Sequence, residues 1–438
     1  MDHIQKNINS SLGIGLVLGL SSLIYSAGTS AASGLQVMSD EQLSATVGQA
    51  LMNLTYTAPN DAINLENKRV GGDKSIGFYK MGLEADMELN ANIRKLQLGC
   101  GGVNGPGCDL DIDYLSLSGV ADSNTGRASS SAKISNPFLE FAIKNPDSAA
   151  KREVVGLRAS AEAIQGMLTF GLENGPQKSG INSLSGYMEV AAAGGKVDVN
   201  PIKDLTYQSS GQTPITGTVK GWFIPVDFTS TEYNLNITPT QQGDLRLPQQ
   251  VITGHRINNA PLTAKAYVNG LDISGNIKAE TAIMNLDRKL SGKIDNLTVD
   301  VKIDEGLGFF HKANLNGSAA SLSLQSRHLM WPGSKSVAQN GWWLELSNPI
   351  DIGDITPTEK VTITTPTVKE TLGEVSKYIT ANPISCGTWG LLQCVFGDSI
   401  DVKTVDLSKG TPVNLNLANL ELKNQNFAPN CYGNLKFC

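Results

Sequence analysis

The sequence predicts an all-β protein: a large coiled antiparallel sheet, or an irregular β-solenoid or sandwich, with a short helix near the N-terminus and one further helix near residues 367–380. Three observations predict it. Apolar and polar residues alternate in many short segments, turn dipeptides separate those segments, and only two stretches follow a helical period.

The alternation begins at Met52, Leu54 and Tyr56, set against Asn53 and Thr55. It returns at Met87, Leu89, Ala91 and Ile93, and at Leu110 and Ile112 between Asp109, Asp111 and Asp113. It continues at Val299, Val301 and Ile303, and at Val413, Leu415 and Leu417. Strict alternation predicts strands with one buried and one wet face. Asn145-Pro146-Asp147, Asn174-Gly175-Pro176, Asn269-Gly270, Asn348-Pro349 and Asn382-Pro383 supply the turns. Ile or Leu, then Ser, Thr or Asn, then Gly recurs at Gly119, Gly186, Gly217, Gly254, Gly275, Gly292 and Gly317. Its spacing has no fixed period, so these glycines are read either as bends and close backbone approaches within strands or as ordinary hairpin turns.

Ser39 followed by Gln42 forms a capping box ahead of Leu43, Ala45 and Val47, and predicts a helix over Asp40–Val47. Val368, Leu372, Val375 and Ile379 form a helical stripe between Pro366 and Asn382-Pro383. The Thr- and Pro-rich stretch after Asn348 suggests three segments: residues 1–32 as a signal peptide, 33–348 as a β-rich body, and 349–438 as a β-rich C-terminal part with the second helix and two local disulfides.

Export is the expected destination. Lys6 precedes an apolar stretch, Leu12–Tyr25, and the small residues Ala27–Ser33, with Ser30 and Ala32 at the −3 and −1 positions of a cleavage site. The alternative is a membrane anchor, but that stretch is shorter than the roughly 20 residues a span needs. No later stretch is apolar enough to predict a transmembrane helix in the mature chain. Six cysteines fit an oxidising compartment. Cys100/Cys108, Cys386/Cys394 and Cys431/Cys438 are close in sequence around Gly, Pro or Asn, and are expected to bridge sequentially. Zinc is the weaker reading, because no spacing matches a zinc motif and no His accompanies the pairs.

Charged residues make up only 17% of the chain, and 35 basic residues stand against 41 acidic ones for a net charge of −6. That balance excludes a nucleic-acid binder of the usual basic type. No motif for a cofactor, a phosphate loop or a catalytic nucleophile is present. His255, His311 and His328 stand alone, so no catalytic residue is assigned and no enzyme activity is expected. Asp109, Asp111 and Asp113 are the one candidate metal cluster. Three carboxylates on one strand face can hold calcium, and the alternative is a solvated, charged strand face. Trp331, Trp342 and Trp343 are either core residues or aromatics that contact a glycan or partner.

Gly34–Ala50, GLQVMSDEQLSATVGQA, resembles an L-s-D-e-x-L-s-x-x-x-G-Q motif of exported gammaproteobacterial proteins. LNANIRKLQLGCGGVNGPGC, residues 89–108, and NPFLEFAIKNPDSAAKREVVGLR, residues 136–158, resemble the Fil pilus-system proteins of Acinetobacter. The resemblance carries over no catalytic residue. It implies an extracellular or cell-surface role in filament formation and adhesion, with other pilus-system or outer-membrane proteins, or further copies of the chain, as partners. The expected function is an exported structural or adhesive component of a pilus. The alternative is a periplasmic or outer-membrane-associated assembly or binding factor of such a system. An exported glycosidase or polysaccharide lyase ranks last.

Overall fold

The computed structural model describes residues 52–121, 123–171, 179–220, 225–280, 285–307, 312–350, 352–385 and 399–418. The expected signal peptide, the Asp40–Val47 helix and Cys386, Cys394, Cys431 and Cys438 lie outside these residues. Met52–Cys438 is one compact unit. Its described part holds 25 strands and one helix longer than five residues. The all-β expectation therefore stands.

The chain builds a two-layer sandwich and a larger curled sheet around one shared apolar core. One sandwich layer runs Ile202–Leu205, Glu232–Pro239, Leu271–Glu280, Asn285–Asp295, Ile400–Asp406. The other runs Ala193–Val197, Gly243–Leu247, Asn259–Val268, Leu297–Gly306, Val413–Ala418. Taken in these orders, each strand and its counterpart in the opposite layer are consecutive in sequence. The sandwich is thus a stack of five arches whose turns cross from layer to layer. Asn269-Gly270, expected as a turn, is one such crossing: Val268 ends a strand of one layer and Leu271 starts a strand of the other.

The crossings are tied to one another. Asn296 donates its backbone N–H to Asn269 Oδ1 at 2.7 Å, Gly270 donates to Asp295 Oδ1 at 2.7 Å, and Asn296 Nδ2 donates to Asp406 Oδ1 at 2.9 Å. Gly270 and Asn296 adopt φ of 69° and 62°, a conformation that Gly and Asn reach most readily. Inside the arches the alternation reads directly as burial. Val299, Val301 and Ile303 are almost wholly enclosed, as are Val413, Leu415 and Leu417. Each such side chain contributes about 1.5–3 kcal/mol relative to exposure.

The larger sheet follows the order Met52–Thr57, Ile76–Leu83, Ala132–Lys144, Glu153–Thr169, Ala320–Gln325, Gly341–Leu346, Ile181–Val190, Leu110–Ser118, Ala91–Leu98. Leu110–Ser118 also pairs with Glu153–Thr169, so the sheet curls back on itself. Six of the seven recurring glycines sit inside strands and one, Gly119, follows a strand end. All but Gly317, which takes φ 76° with open space beside it, serve close approach. A Cβ on Gly186 would lie 2.2 Å from Leu344 O across a parallel pairing, and one on Gly217 would lie 2.3 Å from Ile379 Cγ2.

Ile379 belongs to the helix Thr365–Ala381, which matches the sequence expectation. Its stripe of Val368, Leu372, Val375 and Ile379 is buried in the shared core. The boundary expected at residue 348 does not divide the fold. Ile384–Ser385 pairs with Ile215–Lys220, Ile400–Asp406 with Asn285–Asp295, and Val413–Ala418 with Leu297–Gly306. The C-terminal segment completes sheets begun some hundred residues earlier, a pairing that local composition does not encode.

Met52–Thr57 departs from the expected burial. Met52, Leu54 and Tyr56 are all exposed, Leu54 by 75%. The strand ends the sheet order, and among the described residues it pairs only with Ile76–Leu83.

Candidate functional site

Cys100 and Cys108 are bridged, with Cα atoms 3.8 Å apart, as the local pairing predicts. The bridge closes a Gly-rich loop whose backbone oxygens turn inward around one guanidinium. Arg256 Nη1 donates to the carbonyls of Asn104, Gly105 and Pro106 at 3.0, 3.0 and 2.6 Å, and Nη2 to those of Gly99 and Gly101 at 3.0 and 3.4 Å. Arg256 Nε donates to Asp109 Oδ1 at 2.9 Å. Arg256 reaches this position from a bulge in Gln250–Ile257, at φ 54°.

Asp109 is buried, and both its oxygens accept. Oδ1 also takes Asn104 Nδ2 at 3.0 Å, and Oδ2 takes the Trp342 backbone N–H at 2.9 Å. A Cβ on Gly99 or Gly341 would meet Asp109 Oδ2 at 2.2 or 2.3 Å, so glycine is the side chain that leaves room for the carboxylate.

Asp109 therefore works apart from Asp111 and Asp113. Those two share Lys95, whose Nζ lies 2.5 Å from Asp111 Oδ1 and 2.9 Å from Asp113 Oδ1, and Asn182 donates to both. Burial acts to raise the Asp111 carboxyl, but bonds from Lys95, Gln97 and Asn182 outweigh it and hold the group below the usual range. Among the described residues no group of three His, Cys, Asp or Glu side chains is placed to hold a metal ion.

A second set of ionisable groups braces one face of the large sheet. Register places Lys80, Glu140, Arg158, Ser323 and Trp343 in a single row. Arg158 pairs with Glu140, donates to Pro332 O at 2.9 Å, and stacks on Trp331 and Phe138 at 5.2 and 5.4 Å. Burial raises the Glu140 carboxyl and lowers the Arg158 guanidinium; their mutual attraction opposes both shifts. Residues 326–340 lie over this row. Glu345 accepts from Lys335 N and Ser336 Oγ at 2.8 and 2.5 Å, and Glu189 accepts from Tyr187 and Lys335 Nζ at 2.5 and 3.0 Å. Burial and the Glu189 contact push the Tyr187 phenol up to about 12. Glu66, fully enclosed, accepts from Met330 N at 2.8 Å and pairs with Arg69 at 2.7 Å, fastening the end of this covering loop. Trp331 and Trp343 are core residues; Trp342 is half-buried.

The opposite face is apolar. One row across six strands reads Leu54, Met81, Leu139, Ala159, Leu322, Leu344, and the next reads Tyr56, Tyr79, Phe141, Leu157, Leu324, Trp342. Leu322, Leu344 and Trp342 pack against the main core. Leu54, Tyr56 and Leu324 are exposed, and Tyr56 and Tyr79 stack on each other at 4.4 Å.

Sequence reasoning placed Asp109 but missed Arg256, Glu140, Arg158 and Glu66, because a lone charged residue carries no signal of its distant partner. The glycines at 99 and 341 were the available trace of the clamp. Comparison of the chain with family models, with curated proteins and with solved structures finds no match.

Proposed function

We propose that the chain is an exported structural or adhesive component of a cell-surface filament system. One observation carries this reading: charged groups enclosed in the fold fasten loops to sheets, buried Asp109 with partly buried Arg256 at the disulfide loop, and buried Glu66 and Arg158 at residues 326–340, the use expected in a β scaffold under mechanical load. The Cys100–Cys108 bridge fits export, since disulfides persist in oxidising compartments. The resemblance of residues 89–108 and 136–158 to pilus-system proteins supports the same assignment.

Cell fractionation, surface protease shaving and electron microscopy of a deletion strain test it. Surface digestion of the chain in intact cells, with altered filaments in the deletion strain, is the expected result. Protection from shaving with unaltered filaments overturns it. The open apolar face of the large sheet favours a second reading, a periplasmic or outer-membrane-associated assembly or binding factor. That reading predicts protection from shaving together with loss of filaments on deletion.

A further inference from the structure

A sheet with one apolar face buries it against another layer. Here the inner half of that face, at Leu322, Leu344 and Trp342, meets the core. The outer half, across Met52–Thr57, Ile76–Leu83, Ala132–Lys144 and the start of Glu153–Thr169, packs against neither apolar cluster formed by the described residues. Exposure there is high: Leu54 75%, Val154 61%, Met52 51%. Val154 extends the face, since it pairs with Ile143 beside a bulge.

We propose that this outer half is a self-association surface, and that its occupant is the same face of a second copy packed across a two-fold axis. Area supports that occupant. Four strands about 4.8 Å apart, with about three side-chain repeats of roughly 7 Å along each, give a flat footprint of about 400 Å². Doubled in a dimer, and with the relief of the side chains included, this reaches the roughly 1,000 Å² at which specific association begins. Chemistry supports it too. The two rows hold twelve residues and no ionisable group other than the phenols of Tyr56 and Tyr79, so a charged partner finds no complement, whereas an identical apolar face is complementary to itself. Rows of side chains two residues apart can interdigitate as in aligned sheet packing. The rim carries both signs: Glu84 is bonded to Asn53, and Asp147 shares its exposed turn with Lys151 and Arg152.

Sedimentation equilibrium of the full mature chain, without detergent, tests the proposal. The wild type is expected to be a dimer at micromolar concentration. Leu54→Glu and Val154→Glu are each expected to weaken it at least about tenfold, the effect of losing roughly 1.4 kcal/mol. Their far-ultraviolet circular dichroism should match the wild type, because both side chains are exposed in the single copy. Val70→Glu, 97% exposed and outside both rows, should leave the dimer intact. A wild type that stays monomeric to about 100 µM, a concentration covering ordinary weak dimers, overturns the proposal. So does a dimer indifferent to Leu54→Glu and Val154→Glu. Flotation of a monomeric wild type with phosphatidylglycerol vesicles, lost in Leu54→Glu, overturns it in favour of a lipid surface. These outcomes are independent of the shaving and filament phenotypes, so either reading can fail alone.

Discussion

The clamp between Arg256 and the disulfide loop gives the sharpest quantitative test of the structure. Arg256→Met keeps the apolar stem and removes the guanidinium. It leaves buried Asp109 without its cation, and five loop carbonyls, those of Gly99, Gly101, Asn104, Gly105 and Pro106, without their donor. Breaking a buried hydrogen-bonded ion pair from one side costs about 3–5 kcal/mol. Asp109→Asn is nearly isosteric, yet it also destabilises. Oδ1 accepts from Arg256 and Asn104 while Oδ2 accepts from Trp342, so either orientation of an amide turns its NH₂ toward a donor. Loss of a charge-assisted bond together with that clash amounts to about 3 kcal/mol. Arg256→Gly separates strain from contact. The native φ of 54° costs arginine roughly 1–2 kcal/mol that glycine does not bear, so Arg256→Gly should be about 1 kcal/mol less damaging than Arg256→Met. Guanidinium unfolding of the oxidised full chain measures the totals, and hydrogen exchange at residues 99–109 and 253–257 locates them. The double variant Asp109→Asn/Arg256→Met should cost clearly less than the sum of its parts, because both remove the same contact. Losses below about 1 kcal/mol for both single variants, with unchanged exchange, would refute the clamp.

Four further outcomes follow from named contacts. Asp73 bonds Ser75, Lys144 and Arg327; burial acts to raise its carboxyl, but the Ser75 and Lys144 contacts prevail and bring it to about 2. Its folded value lies below its unfolded one, so its contribution is complete above about pH 4 and lost as pH falls toward 2; the stability lost by the wild type across that window should shrink by about 1–2 kcal/mol in Asp73→Asn, after allowance for partial exposure. Gly217→Val drives a side chain into Ile379 and Phe228, and thermal melting should register about 1–3 kcal/mol of overpacking between the helix and Ile215–Lys220. Chelator should leave the melting temperature within about 1 °C, because Lys95 and Arg256 already neutralise the Asp109–Asp113 region; a larger drop that Asp111→Ala abolishes would restore the calcium site. Non-reducing peptide mapping should recover Cys100–Cys108 together with Cys386–Cys394 and Cys431–Cys438, and a crossed linkage would overturn sequential pairing of the last four.

Much of the architecture follows from local sequence. The period of two marks Leu297–Gly306 and Val413–Ala418 as strands and names their buried side chains. The stripe Val368, Leu372, Val375, Ile379 between prolines marks the long helix, and the Cys100–Cys108 spacing around Gly and Pro marks a bridged loop. Each signal lies within a few residues, where backbone geometry alone decides which side chains share a face. What lies on that face is another matter. Met52, Leu54 and Tyr56 alternate as strictly as Val299, Val301 and Ile303, yet one set is exposed and the other enclosed. The difference comes from the layer opposite, which other parts of the chain supply. The same holds for Asn269-Gly270: a turn was legible, but its crossing between layers depends on partners at Asp295, Asn296 and Thr240. It holds for Asp109 as well, whose acidic neighbours in sequence suggested a cation site and whose partner is Arg256, 147 residues away. Periodicity sets the direction of a side chain, and only the tertiary fold brings the group it meets, because pairing energy depends on distance in space and not on separation along the chain.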